Sequence, residues 1–118
     1  MHENAGRLIV PAPLLAEVDY MLTARFGSAV AGAFLRDVSE GTFAVECPEV
    51  GEYRSMLGLS QRYADLAPGL ADLSIVVLAH RFQTRRILTF DHRHFRAMTP
   101  LTGGSFELLP GDEPPSAP

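Results

Sequence analysis

Three acids stand where their neighbours give a carboxylate something to do: Glu17 in "LAEVDY", Asp72 in "GLADLS" and Asp91 in "LTFDHRHF". Carboxylates that share one site repel each other unless a cation compensates them. Oxygen-only ligation selects a hard ion, Mg²⁺ or Mn²⁺, over zinc. Each acid also has an ordinary account. Asp91 suits the N-cap of a following helix. At about 100° per residue, Glu17 falls at the edge of the stripe formed by Leu14, Val18 and Met21, where a residue faces solvent. Asp72 lies in the first turn of its helix, where the dipole favours negative charge. What sets Asp72 apart is its company of Leu70, Leu73, Ile75, Val76 and Val77, because a carboxylate buried among such residues needs a partner or a metal. No single acid decides, and the reading rests on the three together.

Other chemistries fare worse. His92 and His94 are two apart, which on a helix points them to different sides. His2 lies near the chain end, and His80 sits on an apolar helix, where a hydrogen-bonded core histidine is expected. A histidine zinc site is therefore a poor rival. Cys47 is the single cysteine, which excludes an internal disulfide, and a small core residue is expected there. A phosphatase with an aspartyl nucleophile would need a D-x-D-x-[TV]-like turn after a strand, and none is present.

The elements that must position the acids follow from pattern and punctuation. "RLIV" (7–10) reads as a buried strand stopped by Pro11. A helix opens on proline and ends at Gly27, and a second runs over 28–41. "TFAVEC" (42–47) is a strand, 48–65 a helix with weak spots at Gly51 and Gly58, and 69–82 a buried helix. "RILTF" (86–90) is a strand, 91–98 a short helix and "SFELL" (105–109) a last strand. Alternating strands and helices imply parallel strands joined by right-handed crossovers, an open α/β sheet flanked by helices. Such sheets bind ligands beyond the carboxyl ends of their strands, where Asp91 falls and near which Glu17 lies.

With 118 residues, 47% of them hydrophobic and 20% charged, the chain is one ordinary globular domain at most. No apolar run approaches the roughly 18 residues of a membrane span, and "MHENAG" lacks the basic and apolar regions of a secretory signal, so a cytoplasmic protein is expected. The net charge of −4 argues against a general nucleic-acid coat. All 10 basic residues are arginine, and Arg81, Arg85, Arg86, Arg93 and Arg96 crowd one stretch, which suits either a solvated face or guidance of a phosphate backbone. The tail "PGDEPPSAP" is too proline-rich to fold.

Together, "VPAPLLAEVDYML", "YADLAPGLADLSIVVLAHRF" and "RILTFDHRHFRAM" closely resemble, in content and order, the PIN domain of VapC-type toxins, the ribonuclease halves of bacterial toxin–antitoxin pairs. The resemblance runs from about Arg7 to Pro110. It leaves a flexible N-terminus at 1–6, a PIN-like domain at 7–110 and a disordered tail at 111–118. It implies a Rossmann-like three-layer fold, and an acidic quartet that holds Mg²⁺ (or Mn²⁺) and activates water against an RNA phosphodiester. Residue by residue, Glu17, Asp72 and Asp91 would be both metal ligands and catalytic groups. It also implies a VapB-like antitoxin partner and a homodimer.

The sequence departs from that family at its start. VapC-type PIN domains open with a central strand whose Asp-Thr/Ser-Ser-like turn supplies the first acid of the quartet, and no such segment is present. A strand, a helix and their connections amount to roughly 25–35 residues. Glu3, Asp19 and Asp65 are weak substitutes. Two accounts follow: either an upstream stretch supplies the strand, or the chain is a catalytically impaired remnant. A non-enzymatic interaction module, binding an antitoxin or a second copy of itself, is the rival reading.

Overall fold

The computed structural model describes residues 8–88 and 92–109. Asp91, the chain start and the proline-rich tail lie outside the described residues, as do the side chains of Leu88, His92, Arg93 and Leu109. Strand β1 (Leu8–Pro11) runs straight into helix α1 (Ala12–Phe26), because proline at the helix start loses no hydrogen bond there. Gly27 ends α1 at φ +89°, a conformation open to glycine, and its N–H bonds to Thr23 O at 3.0 Å. Helix α2 (Ser28–Ser39) starts immediately and turns at Gly41 into strand β2 (Phe43–Glu46). Helix α3 (Val50–Arg62) follows, then a 3₁₀ turn over Ala64–Leu66, helix α4 (Leu70–Arg81), strand β3 (Arg86–Leu88), helix α5 (His92–Ala97) and strand β4 (Glu107–Leu109). Gly51 and Gly58 leave α3 unbroken.

Both ladders are parallel, as the alternation of elements requires. β1 pairs β2 in the register Leu8–Phe43 to Pro11–Glu46, and β3 pairs β4 in the register Arg86–Glu107 to Leu88–Leu109. Among the described residues they form two separate two-stranded sheets. α4 packs against both β1 and β3, so a single helix contacts both sheets.

The core gathers on α4. Val76, Val77 and Leu78 from that helix meet Met56 and Leu59 of α3, Ile87 of β3, Phe95 of α5, and Met98, Phe106 and Leu108. Phe95 and Phe106 stack edge to face, 6.0 Å between centroids. Ser74 is fully buried and returns its hydroxyl to Ala71 O at 2.6 Å, so this polar group in an apolar run is satisfied within its own helix. Two expectations fail. His80 is exposed rather than in the core, because it lies in the last turn of α4, past the run Ala71–Ala79 that other elements cover. Cys47 is exposed too, lying just past the end of β2, where the chain has left the ladder. No described helix is long and apolar enough to cross a membrane.

Candidate active site

Asp72 is the third residue of α4, which opens after Gly69 in extended backbone. Its carboxylate therefore sits where the unpaired N–H groups of the first turn favour negative charge. The side chain is 24% exposed, and its Oδ2 lies 2.8 Å from Nδ1 of His94, which reaches across from α5. A carboxylate only accepts, so Nδ1 carries the proton of this bond. The pair ties the head of α4 to α5, and Asp72 Oδ1 has no partner among the described residues. Asp72 is thus partly buried and paired, as its apolar company requires, and the partner is a histidine.

Glu17 lies in α1, exposed, and α1 packs on α4. The helices carrying Glu17 and Asp72 are therefore neighbours. Among the described residues, no group of three or more His, Cys, Asp or Glu side chains comes together to hold a metal ion. Asp91, the third acid, is outside those residues. Asp19 and Asp65 are exposed, as their surface readings anticipate. In chemistry the available donors fit a hard cation, since Glu17 and Asp72 offer carboxylate oxygens and no thiolate stands beside them.

Near the far end of α4, Arg81 gathers a second set of charges. Its Nε donates to Glu52 Oε2 at 3.1 Å, its Nη1 to Glu46 Oε1 at 3.1 Å, and its Nη2 to Cys47 O at 2.9 Å and to Glu52 Oε1. One guanidinium thus pins α4 to the end of β2 and the start of α3. Glu52 also accepts the Glu49 N–H at 2.9 Å, capping α3. Burial alone would raise the Glu52 pKa. The Arg81 hydrogen bonds, the Glu49 N–H and the charges of Arg81 and His80 outweigh it and hold the carboxyl below its ordinary range. The Glu52 hydrogen bond raises Arg81 in turn.

This bears on the arginine cluster. Arg85 donates to Gly103 O and to Thr102 Oγ1, and Arg86 Nε lies 3.4 Å from Glu107. Arg81 is engaged within the fold through all three of its nitrogens, whereas Arg85 and Arg86 remain exposed beside their partners. Sequence spacing missed both the Arg81 node and the Asp72–His94 pair. Glu46 and Glu52 lie 35 and 29 residues before Arg81, and His94 lies 22 after Asp72, so only the fold brings them together.

A third feature is apolar. The α1–α2 hairpin leaves Tyr20, Phe26 and Leu35 more than 60% exposed, and a groove on it is lined by Leu15, Ala16, Asp19, Phe34, Leu35 and Val38. Apolar side chains gathered in this way mark an interaction surface.

No family model matches the chain. Compared with curated proteins, it is 36% identical over 107 residues to Ribonuclease VapC26 of Mycobacterium tuberculosis, an alignment covering 91% of this chain and 79% of that protein.

Proposed function

This chain belongs to the VapC-type PIN-domain ribonucleases, and we propose that it is the toxin of a toxin–antitoxin pair, a Mg²⁺-dependent endoribonuclease whose Glu17, Asp72 and Asp91 hold the ion. The observation that carries the reading is Asp72: partly buried at the head of α4, with one oxygen bonded to His94 and the other unpartnered among the described residues. When bound, the ion lowers the pKa of a water and offsets charge on the attacked phosphate. Asp72 and Glu17 contribute carboxylate oxygens from adjacent helices. The water oxygen bonds to phosphorus as the P–O3′ bond breaks, leaving 5′-phosphate and 3′-hydroxyl ends.

The test is cleavage of a structured RNA in Mg²⁺ by the full chain and by Asp72→Asn. Loss of at least about 100-fold in rate is expected for the variant, the order of effect of removing a group that stabilises charge in the transition state. Equal cleavage by the two removes Asp72 from the mechanism.

The divided sheet supports a second reading. Among the described residues β1 and β3 do not pair with each other although α4 contacts both, and open strand edges expose unpaired backbone groups. A parallel strand between them would make one sheet, and the DNA upstream of Met1 is the place to look for an in-frame "DTS"-like segment. Without that strand the chain is an interaction module, binding a VapB-like antitoxin or a second copy through the apolar α1–α2 surface. Sedimentation of the purified chain separates these: a dimer that Leu35→Asp converts to monomer supports the module's contact surface, and a monomer unaffected by the change opposes it.

A further inference from the structure

We propose that His94 is the positioning residue for Asp72, an assignment that rests on the nuclease reading and extends it. The geometry is specific. Nδ1 of His94 meets Oδ2 of Asp72 at 2.8 Å, with the imidazole side chain 12% exposed and the carboxylate 24%. The ring stands on α5 beside Phe95, which is 1% exposed and locked edge to face against Phe106, so the backbone that carries His94 is fixed by the core. A short polar side chain at the head of a helix has several rotamers, and a single N–H from a fixed ring selects one. With Oδ2 held, Oδ1 is presented in a constant direction for the cation. Hydrogen-bond partners of metal-ligating groups orient them in this way, and their loss weakens metal binding roughly 10–100-fold.

The experiment exploits the two nitrogens of imidazole. The side-chain amide nitrogen of asparagine occupies about the place of histidine Nδ1, whereas that of glutamine occupies about the place of Nε2. Mn²⁺ is titrated into the full chain at fixed pH, free ion is followed by electron paramagnetic resonance, and circular dichroism melts check folding. For His94→Gln and His94→Phe, Mn²⁺ affinity is expected to fall about 10–100-fold. His94→Asn keeps the donor in place and is expected to stay within about 3-fold of the unaltered chain, well short of that loss. Asp72→Asn is expected to abolish the site.

Unaltered affinity in His94→Gln and His94→Phe, with Asp72→Asn still defective, overturns the positioning role and leaves the nuclease reading standing. Equal weakening in all three His94 variants overturns it as well, since the ring and not the Nδ1 donor would then matter. Absence of Mn²⁺ binding by the unaltered chain, or equal binding by Asp72→Asn, overturns both. If the phenylalanine variant does not fold, the contrast between asparagine and glutamine still decides.

Discussion

The part of the molecule made of α3, α4, β3, α5 and β4 shares one core, whereas β1, α1, α2 and β2 bury little. The first contributes every member of the main apolar cluster, with Val76 and Leu108 wholly inaccessible. The second supplies Val10, Ala31 and Ala44 as its buried apolar residues, and α1 has none at all. Similar apolar content thus has two outcomes. On α4 the apolar residues are short and branched and meet other elements on several sides. On α1 and α2 the large ones, Tyr20, Phe26 and Leu35, stay exposed although α1 meets α2, α4 and β1 and α2 meets α1 and β2. One region is held by packing, and the other leaves large apolar side chains exposed.

The largest expected effect comes from the packed side. Phe95→Ala removes a ring that is 1% exposed and its edge-to-face contact with Phe106, and should cost about 3–5 kcal/mol in chemical denaturation. A loss below about 1 kcal/mol would mean that the two regions are less different than their burial implies.

An intermediate effect tests what joins them, because Arg81 fastens α4 of the packed region to β2 of the open one. Arg81→Ala should cost about 1–2 kcal/mol, moderated by the partial exposure of the node. The same node has a pH signature. Glu52 is held below its ordinary value of 4.5, so its contribution is complete above that value and disappears as pH falls through the lower folded value. Comparison with Glu52→Gln over pH 5 to about 2 isolates it: the stability difference between the two proteins should shrink on acidification. A difference independent of pH would show that the carboxylate charge plays no part.

The smallest effect belongs to the open side. Leu35→Ser, at a residue 64% exposed, should change the stability of the isolated chain by no more than about 0.5 kcal/mol. A larger loss would place Leu35 in a contact formed in solution, and urea titration at two protein concentrations would reveal it.

Local structure was legible almost throughout. The proline entry and glycine exit of α1, the strand around Phe43 and the apolar run of α4 all follow from short-range rules, and the observed bounds differ by a few residues where ends fray. Parallel pairing followed from the alternation of elements. What could not be read was which side chains meet across long stretches of sequence. The arginines between 81 and 96 looked alike in the sequence, yet three have intramolecular acceptors that sit on other elements. For His94 the sequence exposes only the two-residue spacing to His92, which suits no zinc site. Its relation to Asp72 spans 22 residues and exists only once α4 and α5 are folded together. The apolar helix around His80 and the small size of Cys47 point both to the core, whereas the last turn of α4 and the end of β2 put them outside it.

The dependence of β1 and α1 on α4 has a consequence for synthesis. β1 and α1 leave the ribosome well before the helix they pack on, since α4 begins at Leu70 and α1 ends at Phe26. At roughly 5–20 residues per second, the nascent N-terminal segment spends a second or more without its support. During that interval the side of α1 that packs on α4 in the folded chain is accessible to whatever binds emerging chains, so a partner made close by and early would have the first opportunity to engage it.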